Sequence, residues 1–286
     1  MEFLRPATVA DALEAKAAHP DAVAICGGTD VMVELNFDRR RPAALLDLSA
    51  IAALAQWGID GAQLRIGAGL PYRRIIDEVG AYAPGLAMAA RTVGSPQIRN
   101  RGTVGGNLGS ASPAGDAHPP LLAAGATVEI ASVRGVRTVD YGDFFTGPKR
   151  NVLASDELVT AVLVPVAPGP QQFAKVGTRN AMVIAVCSFA VAVDPSTRRV
   201  GTGIGSAGPT PLRAPLAEEL LAGSLPWQSP GPLDEVLARR FGELAGAAAA
   251  PIDDVRGTAA YRRHAVSVLA RRTLAWAWAD YRASAS

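Results

Sequence analysis

Two glycine-pair loops constrain this chain more than any other feature. The first is AICGGTDVMVEL, residues 24–35, where an apolar strand read over Ala22 to Cys26 runs into Gly27-Gly28-Thr29-Asp30. The second is QIRNRGTVGGNLGSASPAGD, residues 97–116, carrying Thr103-Val104-Gly105-Gly106-Asn107 and then Ser110, Ser112 and Asp116. Glycine has no Cβ, so the backbone at each pair can approach a ligand closely and aim N–H groups at an anion. One such loop is commonly only a turn. Two in one chain, the second within a long Gly-, Ser-, Asn- and Thr-rich segment that is costly to order alone, imply a large phosphate-bearing cofactor held from two sides. Thr29 is placed to cap whatever follows the first loop. Asp116 is placed to accept hydrogen bonds from ribose-like hydroxyls, to cap a short helix read over Ala117 to Ala124, or both.

Composition removes several other classes. With 286 residues, 49% of them hydrophobic and 19% charged, the chain is a globular, enzyme-like sequence with room for two or three packed subdomains. Lys and Arg total 28 against 26 Asp and Glu, a net charge of +2, which offers no field for nucleic acid. The two cysteines, Cys26 and Cys187, cannot supply the four ligands of an iron–sulfur cluster and make no disulfide framework. The three histidines, His19, His118 and His264, have no metal-ligand spacing. No metal site and no catalytic side chain is read here; electron chemistry would need an organic cofactor or a partner chain. No apolar run reaches the length of a membrane span, and MEFLRPATVADALEAK has no signal-peptide core, so a cytoplasmic chain is expected.

The apolar patterning alternates short strands and helices. A helix is expected over Pro6 to His19 with Thr8 as its cap, strands over 22–26 and 44–48, and a helical turn over 31–37. Further strands are read over 64–70, 127–132, 137–141 and 158–164, with helices over 72–79 and 86–92. The stretch 97–116 reads as one long loop. PVAPGPQQ, residues 165–172, is the best boundary, dividing an expected domain 1–168 from 169–286. Beyond it come strands over 172–176, 183–193 and 199–206, then helices over 233–249 and 258–283. Gly203-x-Gly205-x-x-Gly208 matches a dinucleotide fingerprint, but Pro209, Pro211 and Pro215 follow where its helix should start, so it reads as strand and turn.

The two loops together resemble the paired FAD signatures of the flavin subunit of molybdenum hydroxylases, which share the vanillyl-alcohol-oxidase (PCMH-type) FAD fold. The resemblance covers the whole chain, including KVGTRNAMVIAVCSFAVAV (175–193) and PIDDVRGTAAYRRHAV (251–266). Within the family, the GGTD and ASPAGD forms are most similar to the FAD subunit of bacterial three-subunit xanthine dehydrogenases; carbon monoxide dehydrogenase flavin subunits usually carry His-Ser where this chain has Thr29-Asp30. The resemblance implies an α+β fold: an FAD-binding domain of two small subdomains, then a sheet-plus-helix domain. It implies that Ile25, Cys26, Gly27, Gly28, Thr29, Asp30 and Val31 wrap the pyrophosphate and ribityl side of FAD. Thr103, Val104, Gly105, Gly106 and Asn107 hold the pyrophosphate from the other side, and Asp116 binds a ribose or ribityl hydroxyl. Val93 and Val159 pack near the cofactor, and Lys175 lies near the isoalloxazine ring. It also implies partners: a large subunit with molybdopterin and a small subunit with two [2Fe–2S] clusters, joined as a dimer of heterotrimers, with electrons leaving to NAD⁺ or another acceptor. Within the family the alternative is the FAD subunit of another molybdenum hydroxylase, a carbon monoxide dehydrogenase or an aromatic or N-heterocycle hydroxylase. Outside it there are two competing readings, first a stand-alone flavin oxidase and second a non-catalytic scaffold. The first is opposed by the lack of a matching histidine tether, the second by the intact glycine pairs.

Overall fold

The structure, a computed structural model, describes residues 1–285. The expected second domain's last residue, Ser286, lies outside the described residues. The chain opens with β1 (Glu2–Leu4), α1 (Val9–Ala18), β2 (Val23–Ile25), α2 (Val31–Asn36) and β3 (Ala44–Asp47). The three strands form a parallel sheet in the order β1-β3-β2. Thr8 caps α1 as expected, its hydroxyl accepting from Asp11 N at 3.1 Å. Ala12 of α1 packs on Leu46 and Leu48, and Ile51 and Leu54 close this small core. β2 stops at Ile25 because the chain must turn through Gly28, whose φ of +75° lies in the left-handed region that glycine adopts without penalty.

The next subdomain is β4 (Trp57–Asp60), β5 (Gln63–Gly67), α3 (Tyr72–Arg74), α4 (Pro84–Thr92), α5 (Pro96–Arg101), α6 (Val104–Ser110) and α7 (His118–Ala123). It continues through β6 (Thr127–Ser132), β7 (Gly135–Asp140), β8 (Phe145–Gly147), β9 (Arg150–Asn151) and β10 (Leu158–Pro165). An antiparallel five-stranded sheet runs β4-β5-β10-β6-β7, and its inner face, with Leu64, Ile66, Val128, Ile130 and Val162, packs on Leu86 of α4 and Leu108 of α6. The short strands β4, β8 and β9 go beyond the sequence expectation, and two stretches differ from it. The helix read over 72–79 is one α turn continued by a π turn, Ile75–Val79. The segment read as a loop holds α5 and α6, because Ser95 and Thr103 each cap a short helix: Ser95 Oγ accepts from Ile98 N (3.3 Å) and Thr103 Oγ1 from Gly106 N (3.0 Å). Glycine content hid these helices; the caps overrode it.

The last part is β11 (Gln171–Val176), β12 (Cys187–Asp194), β13 (Arg199–Gly205), α8 (Pro215–Ser224), α9 (Glu235–Ala248) and α10 (Ala259–Ala285). Its antiparallel sheet, β11-β12-β13, is covered by α9 and α10 around Phe189, Phe241 and Trp278. The strand expected from Val183 starts only at Cys187; an irregular segment precedes it. The fingerprint-like glycines serve packing. A Cβ on Gly201 or Gly203 would stand 2.0 Å from Ala123 O or Pro119 O, so α7 of the preceding domain lies directly on β13. No helix follows Gly208 at fingerprint spacing, but α8 starts at Pro215, where the first turn tolerates a missing N–H. The prolines therefore bar a helix only as far as Ala214. The whole is the mixed helix-and-sheet architecture expected: two small N-terminal subdomains, then a sheet-plus-helix domain.

Candidate functional site

The two glycine loops meet. A Cβ on Gly27 would lie 2.2 Å from Arg101 O, so the first loop rests on the backbone where α5 turns toward α6. A cavity of about 690 Å³ opens beside this junction. Residues 25–31 of the first loop line it, as do Thr103, Gly105, Gly106 and Asn107 of the second, with Val93 and Val159. Three residues expected at the site lie outside this lining: Val104, Asp116 and Lys175. Val104 faces the core at 0% exposure.

The loops differ in what they offer. Among the described residues, the N–H groups of Gly27, Gly28, Thr29 and Asp30 donate to no other part of the chain. In the second loop Gly105 N donates to Ala68 O (2.9 Å), Gly106 N to Thr103 Oγ1 and Asn107 N to Thr103 O (3.1 Å). Free anion donors thus come from the first loop. The second contributes side chains and close backbone approach: a Cβ on Gly106 would touch only Thr103 Oγ1, at 3.1 Å. Thr29 does not cap α2; Asp30 holds that position without a side-chain bond. Burial pushes the Cys26 thiol up, and the residue acts as a small apolar wall.

Asp116 and Lys175 form a buried ion pair at 2.6 Å, with side chains 8% and 11% exposed. Asp116 also accepts from Thr92 Oγ1 (3.0 Å), and Lys175 Nζ donates further to Thr92 O (3.0 Å) and Val183 O (3.2 Å). All three ammonium protons are used, and the pair ties β11 to the end of α4. Burial raises the Asp116 carboxyl against the pull of the Lys175 charge. Asp116 does not cap α7, whose cap is Ala117 with no side-chain bond. His118 is fully buried, its Nδ1 2.8 Å from Tyr141 Oη, and desolvation lowers its pKa to about 3.

Sequence reasoning missed Tyr72, Glu34, Arg40 and Lys149, all in the cavity lining. Glu34 of α2 pairs with Lys149 (3.2 Å) of the β8–β9 turn and with Arg40 (3.6 Å), joining the two subdomains at the cavity's rim. Arg39-Arg40-Arg41 reads in sequence as solvated surface, and nothing near Lys149 signals a site. Two buried polar atoms in the lining, Tyr72 Oη and Asn107 Oδ1, have no hydrogen-bond partner in the chain. With the free amides of the first loop and the open side of Gly106, they fit a phosphate-bearing dinucleotide. Among the described residues there is no cluster of three or more His, Cys, Asp or Glu able to hold a metal, and no helix long and apolar enough to cross a membrane.

The fold is that of a two-domain protein with a cavity lined by paired glycine loops. The chain belongs to the FAD-binding medium-subunit family of the molybdenum hydroxylases: the model of the FAD binding domain in molybdopterin dehydrogenase matches residues 1–167. The CO dehydrogenase flavoprotein C-terminal domain matches residues 172–277. The nicotine 6-hydroxylase medium subunit of Paenarthrobacter nicotinovorans is 31% identical, covering 96% of both chains. The putative xanthine dehydrogenase FAD-binding subunit of Escherichia coli is 31% identical over 95% of this chain and 94% of its own length. Reconstituted CO dehydrogenase from Oligotropha carboxidovorans contains a chain that superposes with a TM-score of 0.90 at 28% identity, covering 98% of each. The chain is thus an FAD-dependent oxidoreductase subunit.

Proposed function

We propose that this chain is the electron-transfer subunit of a molybdenum hydroxylase complex. It would take electrons from [2Fe–2S] clusters on a small subunit, after substrate oxidation at molybdopterin on a large one, and deliver them to NAD⁺ or another acceptor. The observation that carries the reading is the cleft: the first loop, with its free amides, and Gly106, Asn107 and Tyr72 line one cavity of about 690 Å³. Bound FAD would supply redox chemistry able to take up two electrons and release them singly or together. The chain's own residues then hold and shield: the first loop binds phosphate, Val93 and Val159 form an apolar wall, and the Lys175–Asp116 pair fixes β11 beside it. We assign the cleft contacts to residues 25–31, 103, 105–107, 93 and 159. Val104 serves as support beneath the loop, and Asp116 and Lys175, outside the lining and bonded to each other, serve the site by holding β11 rather than as direct ligands.

Xanthine is one substrate reading among equals, since relatives are named for nicotine, xanthine and carbon monoxide alike. The glycine loops serve the cofactor and carry no substrate selectivity. The test is purification with and without candidate partner subunits. Expected are FAD released by acid, reduction of that flavin by substrate only in the complex, and a dimer of heterotrimers by mass. Purine turnover by the isolated chain would restore the oxidase reading, and release of FMN alone would remove the dinucleotide assignment.

A further inference from the structure

Tyr72 is 2% exposed, lines the cofactor cavity, and its hydroxyl has no partner in the chain. A buried hydroxyl left unpaired is destabilising, and few native ones are left so without a reason. The surroundings point to a ligand as that reason. The backbone locks the residue to the second loop: Tyr72 N donates to Gly102 O at 3.0 Å, and Pro71 bridges to Thr103. A Cβ on Gly102 would lie 3.5 Å from both Tyr72 Cδ2 and Thr29 Oγ1, so the phenol stands where the two glycine loops converge. Tyr141, the phenol that shares its electrostatic environment, is already paired with His118 Nδ1. Burial first, then the carboxylates of Asp116 and Asp30, keep the Tyr72 proton in place, which leaves a donor without an acceptor.

We infer that Tyr72 is a further cofactor-binding residue, its hydroxyl donating a hydrogen bond to an oxygen of the pyrophosphate–ribityl stretch of FAD between the two loops. The inference rests on the FAD reading above. It adds a contact the glycine signatures do not contain, reached from the α3 turn.

The test uses the full chain stripped of flavin. FAD is titrated into wild type and Tyr72→Phe, and both flavin-free proteins are melted. Loss of one hydrogen bond to a charged or polar oxygen should weaken FAD binding about tenfold. Flavin-free Tyr72→Phe should melt no lower than flavin-free wild type, because the change removes an unpaired buried hydroxyl. A purely structural role gives the opposite pattern. An FAD affinity within about twofold of wild type would overturn the inference. So would a flavin-free variant that melts lower or does not fold, since the hydroxyl would then be holding the protein together. If wild type itself binds no FAD, the cofactor reading fails first, and that failure is separate from the Tyr72→Phe ratio.

Discussion

Gly106 is a residue whose value lies in what it lacks. A valine there would meet only Thr103 Oγ1 within the protein and would otherwise fill cofactor space. Gly106→Val should therefore fold yet bind FAD at least about tenfold more weakly, or about 1.4 kcal/mol, read from flavin content after gel filtration. Gly205→Ala is the control: its Cβ would stand 2.5 Å from Ser188 Oγ and 2.7 Å from Pro119 Cγ, far from the cleft, so it should lower the melting temperature and leave flavin content alone. A Gly106→Val protein with full flavin would reduce the second loop to a turn. His118 sets a different test. Its folded pKa of about 3 lies below the ordinary 6.5, so the unfolded chain binds more protons between those values. Stability is fully present above pH 6.5 and is lost as pH falls toward 3, at most about 1.4 kcal/mol per unit from this residue. His118→Gln should flatten the loss between pH 7 and 5, measured by denaturant unfolding. An equal slope in both proteins would show that other groups govern acid sensitivity.

At the level of elements, the irregular segment between β11 and β12 matters most. Arg179 binds the Met182 carbonyl through Nε (3.2 Å) and its terminal nitrogen, while Met182 and Ile184 are 56% and 57% exposed. Two exposed apolar side chains flanking Val183, whose carbonyl accepts from Lys175, suit a protein contact on this loop. Arg179→Glu would break the loop itself; Met182→Asp or Ile184→Asp tests the surface cleanly. Either should weaken capture of the cluster-bearing subunit about tenfold while flavin content stays unchanged; unchanged capture would move the interface elsewhere. Apolar periodicity made β3, β6, β10, β12, α9 and α10 legible, because their side chains face one dominant core. α5 and α6 were not legible, since their signal was two caps within glycine-rich sequence. Nor was β1, a strand of three residues made by pairing with Ala44–Leu46 rather than by its own pattern. At the site, the glycine pairs announce themselves chemically. Tyr72 does not, because its role depends on a hydroxyl left alone by the fold, which no spacing encodes.

Across the whole molecule, the cofactor domain and the sheet-plus-helix domain meet at an apolar seam of Ala89, Ala123, Phe173 and Ala190, flanked by two close contacts. α7 lies on β13 through Gly201 and Gly203, and Lys175 of β11 is held by Asp116 and Thr92 of the preceding domain. The cofactor domain and the sheet-plus-helix domain are thereby joined through both α4 and α7. The two N-terminal subdomains are joined differently. Gly27 against Arg101 is a rigid backbone contact, whereas Glu34 against Lys149 is an ion pair whose lysine is 70% exposed. Exposed pairs contribute little at equilibrium and are screened by salt. The consequence is kinetic. The Glu34–Lys149 pair sits at the rim as a latch beside a shared core in which Leu158 packs with Ala12 and Leu46, so flavin should leave roughly two to five times faster in molar salt or in Lys149→Ala, with its affinity nearly unchanged if arrival quickens equally. Stopped-flow release of FAD at two ionic strengths checks this. In a cell short of flavin, that latch would govern how quickly an empty subunit is charged, independently of how tightly it holds its cofactor once charged.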